Sequence, residues 1–210
     1  MYDKLKDYLS EERLKTYLDF TNNDKEKAVE LYNLNIKIGK NFYPLLSYFE
    51  IILRNVINNK LIEKVGENWF DNKNIIIGNN PIKSRKTLEK LNETKNNIYE
   101  NKKFIENYKI TNSDIVSNLS FGFWVNLLSA NYENNIWQPY IKYIFKGFKR
   151  KDIYEIINNI RMFRNRVFHY ENIIFKCNYK EIYNNINKII NTITKNGLNE
   201  YLNEIIDFNI

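Results

Sequence analysis

The chain has 210 residues, 43% hydrophobic and 27% charged, the balance of a folded globular protein rather than a disordered one. Six Gly and three Pro are too few for the tight turns of an all-β fold, and one Cys with one His leaves neither an internal disulfide nor a zinc cluster. A net charge of +7 attracts polyanions, yet an AT-rich genome also enriches lysine and asparagine, so charge alone decides little.

The apolar spacing is helical nearly throughout. Leu5, Leu9, Leu14, Tyr17 and Leu18 predict one or two short helices with a break near Ser10. Thr21 to Asp24 is a cap cluster opening a longer stripe through Ala28, Leu31, Tyr32, Ile36 and Ile38. Gly39 and Pro44 bend its path without ending it, because residues 45–65 continue as an apolar core helix stopped by Gly66. Residues 71–81 read as a loop with room for a short strand, and 84–99 as a polar helix.

Thr111 to Asp114 is a second cap cluster, and the helix after it carries Val116, Leu119, Phe123 and Leu127 on one face. The Phe121-Gly122-Phe123-Trp124 run within it reads as core, with Gly122 permitting a close helix approach, or as stacking faces for bases. Residues 131–139 are a connection, and Pro139 suits the first turn of the next helix. Asp152 with Glu155 forms a capping-box pattern for a helix over 152–169, and Asn178 with Glu181 repeats it for a helix over 178–195 that stops near Gly197. The expectation is an all-α, single-domain protein of residues 1–210, with residues 1–40 as N-terminal helices. No stretch reaches the ~20 apolar residues that span a bilayer, and residues 1–7 lack the apolar run of a signal peptide. A cytoplasmic protein without a membrane partner is expected.

The single histidine, His169, ends the segment Arg161-Met162-Phe163-Arg164-Asn165-Arg166-Val167-Phe168-His169. Histidine is the side chain whose ordinary pKa suits proton transfer near neutrality. A lone histidine on an amphipathic helix reads equally as packing, so its neighbours matter. With Arg161 at zero on a helical wheel, Asn165 falls near ~40°, His169 near ~80° and Arg164 near ~300°. The apolar positions 153, 156, 157, 160, 163 and 167 cluster between ~200° and ~320°. Arg161, Asn165 and His169 thus form a polar stripe beside the core face, and Arg166 lies on the far side as an exposed charge. Arg164 stands on the boundary, either paired with a carboxylate such as Glu50 or free to bind a phosphate. Arg54-Asn55 echoes the Arg-Asn pair, with Glu50 one turn earlier as a partner for Arg54. Cys177 reads as a packing residue.

The segment Arg164-Asn165-Arg166-Val167-Phe168-His169 resembles the RxxxxH motif of HEPN ribonucleases. Leu31 to Asn35, Phe49 to Asn55 and Asp114 to Trp124 precede it in order, and together the four segments resemble the Abi-like (abortive infection) family of bacterial HEPN proteins over residues 10–195. That resemblance implies a HEPN helical bundle, phage defence, and metal-independent endoribonuclease activity where two HEPN domains meet, as in RNA-targeting CRISPR effectors and toxin–antitoxin modules. Arg164, Asn165 and His169 are the positions onto which the catalytic residues carry over. Arg161, Arg166 and Arg54 are candidate RNA contacts, and no metal or cofactor is expected. The partners implied are RNA, as substrate or as a regulatory non-coding RNA, and a second copy of the chain. One histidine per chain agrees with a two-fold site, since RNA cleavage through the 2′-OH works best with two proton-transfer groups. Two departures stand out: Tyr170-Glu171-Asn172 follows the histidine where His-Glu-Pro is frequent, and Tyr170 is adjacent rather than two positions on, against inactivation by tyrosine modification. A catalytically silent RNA-binding protein and a helical protein-interaction module remain the alternatives.

Overall fold

The structure, a computed structural model, describes residues 1–194 and 198–205. The described residues contain helices and turns and no strand, so the protein is all-α. Its axis is one helix. After α1 (Tyr2–Leu9) and α2 (Glu11–Phe20), divided at Ser10 with φ 73°, α3 runs unbroken over Lys25–Val65. Its 41 residues rise about 60 Å. Asp24 caps it through bonds from the amides of Glu26 and Lys27, and Gly66 at φ 111° ends it. Gly39 and Pro44 both lie inside the helix, as expected.

The reason α3 is the spine lies in its buried stripe. Ile38, Phe42, Leu45, Phe49, Leu53, Ile57 and Leu61 recur every three or four residues and are fully enclosed. They belong to the main core, built with the helices that follow. Near its beginning, Ala28 packs in a smaller cluster with Tyr2, Leu14 and Tyr17 from α1 and α2. Burial pushes the Tyr17 phenol up to about 12; Tyr32 adds to the shift and Arg13 opposes it.

Four expectations are corrected in the middle of the chain. Residues 71–81 hold no strand: a 3₁₀ turn (Trp69–Asp71) and one helical turn, α4 (Lys73–Ile76), bury Ile75 and Ile76, with Asn72 capping. The polar helix α5 (Pro81–Lys102) is longer than its apolar pattern, started by Pro81 in its first turn and capped by Asn80. The helix after Thr111 is two helices, α6 (Asn112–Asn118) and α7 (Phe121–Asn126), divided at extended Leu119 and Ser120. Ser117 and Asn118 side chains both bond the Asp114 carbonyl just before that break. The connection before Pro139 is itself a wide helical stretch (Glu133–Ile141) that buries Ile136, Trp137 and Ile141, with the Lys142 amide reaching the Trp137 carbonyl five residues back.

The motif helix α8 spans Arg150–Phe168. Its expected capping box does not form. Lys149 occupies the cap without a side-chain bond, and the start is fixed by Arg150, which pairs with Glu133 and donates to the Leu128 carbonyl at 3.1 Å. Asp152 remains in the first turn, where its charge complements the helix dipole. In α9 (Tyr179–Ile193) Asn178 does cap, accepting from the Glu181 amide, and Ile182, Ile186, Ile189 and Ile190 are buried. The expected stop at Gly197 lies outside the described residues. Leu202 of α10 (Leu198–Ile205) completes the main core.

Candidate functional site

The end of α8 is built as a C-terminal cap on a strained residue. His169 is the first residue past the helix, and Tyr170 adopts the left-handed conformation at φ 56°. The Tyr170 amide reaches the Val167 carbonyl at 3.2 Å, and the Glu171 amide reaches the Arg166 carbonyl at 2.8 Å. These two bonds form a Schellman cap, whose left-handed position glycine usually fills. A tyrosine there costs about 1–2 kcal/mol.

Three contacts hold that cap. Asn35 of α3, 3% exposed, donates to the Glu171 carbonyl at 3.2 Å and accepts from the amides of Ile173 and Ile174 at 2.9 and 3.3 Å. Arg13 of α2 donates to the Tyr170 carbonyl at 2.7 Å. Arg166 pairs with Glu171 at 2.9 Å. The expectation of Arg166 as an exposed charge is therefore corrected: it is half-buried, and the chain turns back after His169 and brings Glu171 to it. Asn35 and Arg13 were not singled out from sequence. Asn35 sits in the Leu31–Asn35 segment, but one asparagine among many gives no signal of burial.

Arg164 does what the wheel left open. Its Nε donates to Glu50 Oε2 at 3.1 Å, and its guanidinium lies 4.1 Å from the centre of the Phe168 ring. Phe168 in turn stacks on Tyr43 at 4.9 Å. The two terminal nitrogens of Arg164 make no hydrogen bond to the described residues, so the fork is oriented yet unsaturated. Because Glu50 turns to Arg164, the expected Glu50–Arg54 pair is absent. Arg54 Nε is buried without a hydrogen-bond partner in the structure.

Asn165 is half-buried and its carbonyl accepts from the His169 amide at 2.9 Å. His169 is exposed and its ring makes no hydrogen bond or ion pair with the described residues. Arg161 holds Asn158 Oδ1 through Nε and Nη2 at 3.1 and 2.9 Å. Within one chain the final turns of α8 bring Arg164, Asn165 and His169 together in sequence but not on one face. Five residues turn the helix by about 140°, so Arg164 and His169 splay apart.

Two cavities flank Tyr170. One of about 450 Å³ is lined mainly by apolar groups, among them Ile36, Gly39, Tyr43, Pro44, Val167 and Ile173. The other, of about 400 Å³, is polar, with Arg13, Glu12, Asn172 and Lys176 in its wall. Pro44 removes the amide that would bond the Lys40 carbonyl, and both residues face the first cavity. Burial pushes the Cys177 thiol up, with nearby Arg166 opposing and Glu171 adding, so it is a poor nucleophile. Among the described residues no three His, Cys, Asp or Glu side chains gather as a metal site.

Phe121, Phe123 and Trp124 are core. A Cβ on Gly122 would meet its nearest neighbours at 3.9 Å, ordinary contact, so that glycine is not demanded by close helix approach. Gly78, between α4 and α5, is demanded by a close backbone approach, with no room for a Cβ beside the Asn131 carbonyl oxygen.

Fold and site together define an all-α protein whose long central helix clamps an Arg–His motif at the end of a second helix. The family model described as Abi-like protein matches residues 1–175, and the chain belongs to that family. No curated protein and no solved structure matches it. No described helix is long and apolar enough to cross a membrane.

Proposed function

We propose that this Abi-like protein is a HEPN-type endoribonuclease of a bacterial abortive-infection or toxin-type system, cleaving RNA without a metal at a site shared by two chains. One observation carries the reading. An exposed, unpartnered His169 is fixed on a strained cap, five residues after an arginine that Glu50 orients while its two terminal nitrogens stay free.

The chemistry follows from those groups. One His169 removes the proton of a 2′-OH, whose oxygen attacks the adjacent phosphorus. Arg164 offers two N–H groups to the phosphorane oxygens, where charge develops. The 5′-oxygen leaves with a proton from a second, protonated imidazole, giving a 2′,3′-cyclic phosphate and a 5′-OH. The second imidazole is His169 of another copy, because the chain has only one, and two-fold association also closes the gap left by the 140° splay. Asn165, with its side chain free of bonds to the described residues, positions the two helix ends.

The Glu50–Arg164 pair also favours a second reading, an RNA-binding protein held silent or restrained by a non-coding RNA, since Glu50 neutralises part of the charge a phosphate would meet. Expression in cells separates the two. Growth arrest relieved by His169→Ala or Arg164→Ala supports the nuclease; growth unaffected by the intact chain while RNA copurifies supports the silent binder.

A further inference from the structure

A groove of about 350 Å³ lies between α5 and the α6–α7 turn, with Lys83, Lys86 and Lys90 on one wall and Ser120, Gly122 and Asn126 on the other. We propose that this groove binds the sugar–phosphate backbone of single-stranded RNA flanking the bond cut at His169; the proposal rests on the nuclease reading above.

The three lysines are spaced i, i+3 and i+7, which puts them within about 60° on one face of α5 and along about 10 Å of its length. All are exposed and no carboxylate lines the groove. Lys90 reaches Glu93 at 3.3 Å, whereas Lys83 and Lys86 have no acidic partner within 4 Å among the described residues. Like charges at such spacing repel one another on a helix, so the wall is stabilised by a polyanion and by little else nearby. The opposite wall supplies hydrogen-bonding groups without negative charge. Ser120 caps α7 without using its hydroxyl, and the Asn126 amide is held by a 2.7 Å bond to Thr87.

The groove leads to the motif helix. Arg161 Cδ and Nη1 lie 3.9 Å from the place a Cβ on Gly122 would take. With Nε and Nη2 on Asn158, Nη1 of Arg161 lies beside Gly122 of the groove wall, free of bonds to the described residues. From Arg161 the stripe continues through Asn165 to His169, about 12 Å along α8. A strand with its reacting phosphate at His169 thus passes Arg161 and enters the lysine groove. The strand must be single, because in-line attack by a 2′-oxygen requires a backbone free of the regular duplex geometry.

The test uses the full chain carrying His169→Ala, so that RNA stays intact, and a fluorescein-labelled single-stranded RNA of mixed sequence. Binding is followed by anisotropy across a KCl series. With Lys83, Lys86 and Lys90 all changed to Ala, the slope of log K against log[KCl] falls by about 2, near 0.7 for each lost phosphate contact, and affinity at low salt drops at least tenfold. Lys86→Ala alone lowers the slope by about 0.7. A control replacing exposed Lys4, Lys73 and Lys109, which removes the same charge, leaves the slope near that of the parent. Equal slopes for groove variant and parent overturn the groove, as does an equal fall in the control or failure of the parent to bind RNA. Cleavage by the wild-type chain is scored separately: a groove-dependent slope without cleavage keeps the groove and removes the nuclease, and cleavage without that slope does the reverse.

Discussion

Arg150 and Arg164 stand near opposite ends of α8, each paired with a carboxylate from another element, and the two ends differ in what the pairing leaves over. At the start, Arg150 meets Glu133 and the Leu128 carbonyl, with its side chain 15% exposed. The surrounding segment is close-packed, with the Asn131 carbonyl oxygen 2.2 Å from where a side chain on Gly78 would begin. At the other end, Arg164, its side chain 27% exposed, meets Glu50 and the Phe168 ring, and the helix closes on an unpartnered histidine and a tyrosine in a conformation that favours glycine. At the first end two guanidinium nitrogens are bonded, one of them to a backbone carbonyl, and the pairing fixes the fold. The second holds unmet donors and local strain in a fixed position, the features on which the proposed nuclease site rests.

Substitutions can break that contrast, and the largest effect belongs to the open end. Arg164→Ala should lower RNA cleavage by about 10²–10³-fold, roughly 3–4 kcal/mol of transition-state stabilisation, measured as kcat/KM on a labelled RNA. Arg150→Ala should instead cost about 2–3 kcal/mol of stability, read as a Tm drop of roughly 5–10 °C, while the folded fraction cleaves normally. Loss of cleavage in both, or in neither, would erase the distinction. Gly78→Ala belongs with Arg150: the backbone contact leaves no space, and about 2–3 kcal/mol is lost in denaturant unfolding. Asn35→Ala should cost about 2 kcal/mol through unsatisfied amides, yet unlike Gly78→Ala it should also depress cleavage below 37 °C, because it releases the cap that carries His169. The smallest effect has the opposite sign. Tyr170→Gly relieves the left-handed strain and should raise Tm by about 2–4 °C, near 1 kcal/mol.

The all-α class, the break at Ser10, the passage of α3 through Gly39 and Pro44, and the stop at Gly66 were legible because each rests on local rules. Apolar spacing and cap residues act within a few positions, and the motif helix with its Arg–Asn–His spacing was readable for the same reason. What failed was decided by partners far away in sequence. Whether Glu50 would face Arg54 or Arg164 depends on how α3 and α8 cross, and a wheel of either helix alone gives both answers. The break where Leu119 and Ser120 turn extended leaves the apolar spacing unchanged, so periodicity does not register it. Asn35 and Arg13 lie far in sequence from the backbone they hold, and the Arg166–Glu171 pair depends on the left-handed turn at Tyr170. The strain in the site was invisible to composition, since nothing in a tyrosine announces φ 56°.

The central claim is that His169 performs RNA cleavage with Arg164 and without a metal. Its most direct test is incubation of the purified wild-type chain and His169→Ala with single-stranded RNA in excess EDTA, with fragment ends determined by mass spectrometry. The account predicts fragments ending in 2′,3′-cyclic phosphate with wild-type protein and at least 100-fold fewer with His169→Ala. Cleavage abolished by EDTA, 3′-hydroxyl ends, or undiminished cutting by His169→Ala would contradict it.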